Sequence, residues 1–360
     1  VFTVADTIGG STPTADVDND GDVDMCVGTG TSCDAKWYRN DGGGTAWSTL
    51  NVELFSGYNL AGTKYAFADI DEDGLVDLAI CHGLGIIAWY PNNGNGTFGL
   101  RQRIGHELGG GSGMSVTDLD GDGDHDIAAA GFYGDQITTY ANNGDGTFAQ
   151  QEVVMEHLDQ VNVCRAADLN GDGFPELLTN KPEAAVLWND GTGHFTPYPL
   201  PNNGVAPLAV DLDGDLDPDL VGTGAWYRND GSGEFTEQVD ASMNITGATA
   251  VKSGRMNADA VPDLVYFGTT VNVLLNDGDG AFNVLTTTPT AQLMVLDVAD
   301  LDDDGDDDLV GISSNDVLYG YFNDGNGALT EQQLLVGTQG IPRHIQIGRA
   351  SCRERVFSSV

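Results

Sequence analysis

The chain has 360 residues, and its 55 Asp plus Glu against 14 Lys plus Arg give a formal net charge of −41. That balance argues against nucleic-acid and anionic-membrane partners, both of which reward clustered Lys and Arg, and there is no run of about 18 apolar residues to cross a bilayer. With 40 % hydrophobic residues and aromatics recurring along its length, it is not an acidic disordered chain and can build a packed core.

In chain order, Phe2 to Ile8-Gly9 has the spacing of Phe98 to Ile104-Gly105 and reads as the last strand of a repeat. The first acidic loop follows, Asp16-Asp18-Asp20-Gly21-Asp24. The same pattern of carboxylates at positions one, three, five and nine around a glycine returns as Asp69-Asp71-Asp73-Gly74-Asp77, Asp118-Asp120-Asp122-Gly123-Asp126 and Asp300-Asp302-Asp304-Gly305-Asp308. Asp168-Asn170-Asp172-Gly173-Glu176 keeps an oxygen at every ligand position, while Asp211-Asp213-Asp215-Asp219 places Leu216 where glycine belongs. A seventh copy is degenerate, Arg255-Asn257-Asp259-Ala260-Asp263, and the Arg255 guanidinium is expected to take the cation's place there. First positions are separated by 53, 49, 50, 43, 44 and 45 residues, a period that suits propeller blades.

Each loop leads into an apolar run, then an aromatic-rich strand, then a turn such as Asn92-Asn93-Gly94, Asn142-Asn143-Gly144 or Asn229-Asp230-Gly231. Asn-Gly and Asp-Gly pairs accept the positive φ of tight hairpins. Six residues after the Asn comes Phe98, Phe148, Phe195, Phe235, Phe282 or Leu329. Each unit therefore reads as four antiparallel strands with the acidic loop between the first two. Seven such units make an all-β propeller spanning residues 1–346. Ile341 to Ile347 sits where another first strand belongs, so seven blades with spare end strands and an eighth, truncated blade are both open.

Residues 347–360 break the pattern. Ile347 to Val356 is basic in an acidic protein, and ATC GGA AGA GCG TCG TGT AGG GAA AGA GTG encodes it, so this tail is expected to be non-native adapter read-through from a longer natural chain. The underlying nucleotide read tests this directly. Of the cysteines, Cys26 and Cys33 flank a Gly-rich stretch that a disulfide can bridge, and Cys81 and Cys164 lie in apolar strands as buried thiols.

Asp-x-Asp-x-Asp-Gly-x-x-Asp paired with Asn-x-Gly-x-Gly-x-Phe resembles FG-GAP/VCBS repeats, the units of integrin-α-like propellers in secreted and cell-surface proteins. The resemblance implies Ca²⁺ in the loops between first and second strands, ligand recognition on a propeller face and a place in a longer extracellular protein. Certain polysaccharide lyases resemble the architecture too.

For the loops themselves, a hard cation wants six to eight oxygens, and this spacing suits calcium's flexible shell better than magnesium's rigid one. The expected ligands are Asp16, Asp18, Asp20, Asp22 and Asp24; Asp69, Asp71, Asp73 and Asp77; Asp118, Asp120, Asp122, Asp124 and Asp126; Asp168, Asn170, Asp172 and Glu176; Asp211, Asp213, Asp215 and Asp219; and Asp300, Asp302, Asp304, Asp306 and Asp308. About five or six structural Ca²⁺ follow, with position seven contributing its carbonyl. Trp37, Trp89 and Trp226, with Tyr38, Tyr90, Tyr140, Tyr227 and Tyr321, suit stacking on sugars, but packing between blades is the stronger expectation. The six histidines fall at different repeat offsets, and no Gly-x-Ser-x-Gly, His-Glu-x-x-His or phosphate-binding Gly-Lys motif is present. The sequence thus favours a secreted binding or adhesion module for a protein or glycan, against a carbohydrate-active propeller enzyme and a passive spacer.

Overall fold

The computed structural model describes residues 17–18, 25–29, 34–40, 47–53, 64–105, 109–161, 163–181, 185–200, 205–222, 224–243, 250–259, 261–267, 270–289, 293–302, 304–313, 317–336 and 342–344. Residues 347–360 and Cys33 lie outside them, and with Cys33 the Cys26–Cys33 bridge. Apart from one short 3-10 turn, Ala241–Met243, the regular elements are strands.

Among the described residues they form seven four-stranded antiparallel sheets, the blades of a β-propeller. Blade 2 shows the plan: Lys64–Ala68 innermost, then Asp77–Cys81, Ile87–Tyr90 and Gln102–Gly105. Blades 3 to 7 repeat it, with innermost strands Gly111–Thr117, Arg165–Ala167, Val205–Val210, Ala250–Gly254 and Leu293–Ala299. Consecutive innermost strands are neighbours around the ring. Both faces of a blade are covered by the next blades, so its second strand carries an unbroken apolar run: Asp77–Cys81 and Asp126–Gly131 are buried along their whole length. Outermost strands meet solvent, as Phe282–Thr287 does at most positions.

Blade 1 is assembled from both ends of the described chain. Its strands Met25–Thr29, Asp34–Asn40 and Trp47–Glu53 are completed by Pro342–His344, with Gly28 opposite His344 and Thr29 opposite Pro342. The sequence left this segment as a spare strand or the start of an eighth blade. Instead it covers the edge of Met25–Thr29, whose N–H and C=O groups otherwise go unpaired. It also neighbours Leu293–Ala299, while Met25–Thr29 neighbours Lys64–Ala68, so the cycle of blades meets itself.

The core lies in the seams between blades. Ala66, Ile70, Ile87 and Trp89 of blade 2 pack with Met114, Ile127, Ala129 and Tyr140 of blade 3, and the later seams follow suit. Trp89 and Trp226 are buried, as are Tyr90, Tyr140, Tyr227 and Tyr321, which bears out packing over sugar stacking for these residues. The second glycine of the turn follows from the same contact. Gly146 and Gly280, at φ 72° and 81°, lie against Trp89 and Trp226, where a Cβ would collide with the indole. Trp89 Nε1 donates to the Gly146 carbonyl at 3.1 Å. Cys81 and Cys164 are buried free thiols, and burial pushes Cys81 up to about 12. Among the described residues, no helix is long and apolar enough to cross a membrane.

Candidate metal centres

Position nine anchors each acidic loop. Asp77 takes the Ile70 N–H on Oδ2 at 2.9 Å and the Asn92 N–H on Oδ1 at 2.8 Å. Asp126 does the same with Leu119 and Asn142, both at 2.8 Å, and Asp219, Asp263 and Asp308 repeat the pair in their own blades. The carboxylate thus ties the start of its loop to the end of the third strand, which is why loop and turn recur in step. All five are fully or almost fully buried. Burial pushes Asp77, Asp126, Asp219 and Asp308 up to about 7 and Asp263 to about 6, against the pull of the two amides. Glu176, one methylene longer, keeps the Leu169 N–H at 2.8 Å on Oε2 and is also pushed up to about 7 by burial.

Positions one, three and five turn their oxygens inward. Asp118 receives the Gly121 and Gly123 N–H groups at 2.7 and 3.0 Å, and Asp168 and Asp211 hold their loops in the same way. Position five accepts the N–H two residues on, as in Asp73 with Leu75 at 2.9 Å and Asp122 with Asp124 at 3.0 Å. One oxygen from each of Asp69, Asp71 and Asp77 lies within 4.8 Å of the others, and the same holds for Asp118, Asp120 and Asp122, for Asp211, Asp213 and Asp219, and for Asp300, Asp302 and Asp304. Calcium–oxygen bonds of about 2.3–2.6 Å place opposite ligands at about that separation. Within these groups Asp69 Oδ1, Asp71 Oδ1, Asp120 Oδ1 and Asp213 Oδ1 are buried without a hydrogen-bond donor. Burial, reinforced by Asp73, raises Asp71, and burial reinforced by Asp122 raises Asp120. Like charges crowded with idle inward lone pairs are the donor set a divalent cation satisfies.

The remaining ligand positions are placed unevenly. In the first loop only Asp18 is described; Asp16, Asp20, Asp22 and Asp24 lie outside the described residues. Asn170 donates through Nδ2 to Asp172 at 3.0 Å. The side chains of Asp124 and Asp306 lie against Gly144 and Gly325 of their own turns.

Arg255 departs from expectation. Its side chain is exposed and makes no ion pair among the described residues. Among the described residues, Arg228 does enter a loop, pairing with Asp213 through Nε and with Asp215 through Nη2 at 3.0 Å. The reason is position: Arg228 precedes the turn residue Asn229, and the bond from the Asn229 N–H to Asp219 holds that strand end beside the loop. Arg39, which precedes Asn40 in blade 1, approaches Asp18 at 3.6 Å in the same way. Leu216 holds φ 77° with an exposed side chain, a conformation glycine adopts without strain.

The turn asparagines have a second task that turn chemistry alone does not reveal. Asn142 Nδ2 donates to the Ile70 carbonyl of the preceding blade's loop at 2.8 Å and to the His125 carbonyl of its own at 3.2 Å. Asn92, Asn189, Asn229, Asn276 and Asn323 make the equivalent pair, always reaching position two of the loop one blade back. Any ion that orders one loop therefore also orders a seam.

At the opposite end of the second strand, the turn after Asp126–Gly131 presents Tyr133, which is 79 % exposed and set edge-on to Phe132 at 5.0 Å. The Phe132 and Tyr133 N–H groups bond to Gly110 and Gly109, and Gly111 bonds to His82, so this turn, the chain entering blade 3 and the turn bearing exposed Leu84 form one platform. The sequence search missed Tyr133 because it lies outside the repeated positions; its signal was an aromatic pair inside a Gly-bounded turn.

Three stretches of the chain, residues 16–80, 69–129 and 118–179, match the family model described as FG-GAP-like repeat. Each match runs from one acidic loop through the next. No curated protein matches the chain. Among solved structures, a lectin from Agrocybe aegerita, described as recognising non-reducing terminal N-acetylglucosamine, is similar at a TM-score of 0.69 and 18 % identity, covering 95 % of this chain and 100 % of its own. A putative 6-phosphogluconolactonase from Bacteroides fragilis is similar at a TM-score of 0.62 and 13 % identity, covering 92 % and 99 %. BBS1N, solved in complex with ARL6DN, is similar at a TM-score of 0.56 and 12 % identity, covering 91 % and 94 %. At these identities the likeness is one of fold.

Proposed function

We propose that this chain, whose residues 16–179 match FG-GAP-like repeats, is a calcium-braced propeller serving as an extracellular binding module for a protein or glycan. The observation that carries the reading is the convergence of loop carboxylates with inward oxygens that have no donor, as at Asp69, Asp71 and Asp120. Asp69, Asp71, Asp73 and Asp77, with their counterparts in the other intact loops, hold the ions. Bound Ca²⁺ supplies positive charge where the acidic loops are densest, and about five or six ions is the number of loops that retain their ligands. Millimolar extracellular calcium suits such solvent-facing loops, whose affinities fall in the weaker range for oxygen-ligand sites.

With the loops committed to bracing one end of the ring, recognition falls to the other. Exposed Tyr133, beside Leu84 and a Gly-rich approach, offers an aromatic face of the kind that stacks on sugars or anchors a protein contact. The lectin neighbour is consistent with a glycan there, as a likeness of fold.

A glycan array and a panel of extracellular-matrix proteins, probed in millimolar calcium with wild type and Tyr133→Ala, test the reading. The expected result is a defined bound set that Tyr133→Ala weakens at least about tenfold, with far-UV circular dichroism unchanged. Turnover of a bound oligosaccharide would replace the module with a carbohydrate-active enzyme. No binding to either panel would leave a passive spacer and overturn the proposal.

A further inference from the structure

Only 14 basic residues occur in the chain, and three of them meet around the centre of the ring. Lys64, Arg165 and Lys252 lie on the innermost strands of blades 2, 4 and 6, and Asp297 lies on that of blade 7. Arg165, Lys252 and Asp297 share one register position, three residues ahead of Asp168, Arg255 and Asp300. Lys64 sits two residues further back from its own loop, on the same face of its strand. Lys252 Nζ stands 3.0 Å from Asp297 Oδ1. Lys64 feels the charges of Arg165 and Lys252, and Arg165 feels that of Asp297. Blades 2, 4 and 6 are not neighbours, so these groups approach one another only across the central opening.

The local charge does not balance. Among the described side chains, one carboxylate faces three cations, and it is engaged by Lys252; Lys64 and Arg165 make no ion pair among the described residues. Burial draws Lys64 below the usual ammonium range, with Arg165 adding to the effect, and draws Arg165 down to about 10. Uncompensated cations in such a place are costly unless something neutralises them. In a chain with a net charge of −41, two cations that make no ion pair among the described residues lie on the innermost strands of separate blades.

We propose that the central channel is a binding site for a small dianionic oxyanion of the sulfate or phosphate class, gripped by Lys64, Arg165 and Lys252, with Asp297 steadying the Lys252 ammonium. A dianion matches the residual charge of these three described cations and one carboxylate. The Arg165 fork supplies paired N–H donors and the two lysines supply point charges. Such an anion would tie together blades that otherwise touch only their immediate neighbours.

Calorimetric titration of sodium sulfate into the calcium-saturated protein, with sodium chloride at equal ionic strength as reference, tests this. The expected result is one saturable site per chain, absent with chloride. Arg165→Gln and Lys64→Gln should each weaken sulfate binding at least about tenfold, and Asp297→Asn, which releases Lys252, should tighten it. Circular dichroism and melting confirm the fold of each variant; should Arg165→Gln not fold, Lys64→Gln carries the comparison. No saturable sulfate heat in the wild type, or undiminished binding in Lys64→Gln, would overturn the proposal.

Discussion

Replacing Asn142 by alanine removes the bolt between blades 2 and 3, together with the bond its Oδ1 accepts from the Asn143 N–H at 2.9 Å within the turn. The amide is 3 % exposed and donates to Ile70 O at 2.8 Å and His125 O at 3.2 Å. Each net hydrogen bond is worth about 1 kcal/mol, and a buried carbonyl left without its donor adds roughly 1–3 kcal/mol. The backbone bond from the Asn142 N–H to Asp126 survives the change. Weighing three lost bonds against carbonyls that keep partial access to other donors, and an Asn143 N–H that keeps the Thr147 carbonyl, gives a destabilisation of about 3 kcal/mol. Urea denaturation in saturating calcium reads it as a lower midpoint at constant slope. Asn143→Ala is the matched control, since that exposed side chain bonds only to Thr147 across its own turn, and it should cost below about 1 kcal/mol. Equal effects from the two variants would refute the argument, because the change in blade 2 contact would then carry no energy.

Arg228→Gln takes the tethered cation off Asp213 and Asp215, so the Asp211 loop should gain calcium affinity by on the order of tenfold and raise the ions bound per chain by one; equilibrium dialysis that finds an unchanged count would show that Arg228 does not compete. In metal-stripped protein, the position-nine carboxylates should make stability fall as pH rises. Burial lifts Asp77, Asp126 and Asp219 from the ordinary 3.8 to about 7, so the stability that favours their protonated form is full below pH 4 and lost as pH climbs through 7. The urea midpoint of the stripped protein should drop between pH 5 and pH 8, while calcium should abolish or reverse the trend by supplying the opposite charge; a midpoint that rises over that range without metal would contradict it.

Much of this architecture was legible because the repeat imposes local chemistry. The acidic loops and the Asn-Gly turns announce their backbone demands within a few residues, and the period between them suits propeller blades. The bonds between blades were not legible, since Asn142 and Ile70 are 72 residues apart and nothing in the turn names its partner. Asp77 and Asp126 were readable as cation ligands, but their use as acceptors for the loop and the third strand emerges only when both are folded together. Alignment in register singled out Arg255, whereas Arg228 lies outside the motif and reaches its loop through the hairpin's position. The completion of the first blade by Pro342–His344 is likewise a matter of which edge is left open, which sequence pattern does not encode. The basic residues at the ring's centre escaped notice because, taken one blade at a time, each is a single lysine or arginine at the start of a strand.

The most direct test of the account is thermal melting of the metal-stripped protein with and without millimolar calcium, paired with a count of bound ions. Each site held at 100 times its dissociation constant adds about 2.7 kcal/mol to the folded state. Stripping should therefore lower the melting temperature, calcium should restore it where magnesium at equal concentration does not, and several ions should be found per chain. A protein that melts at the same temperature in both states and binds no calcium would contradict the claim that the acidic loops are metal centres bracing the ring.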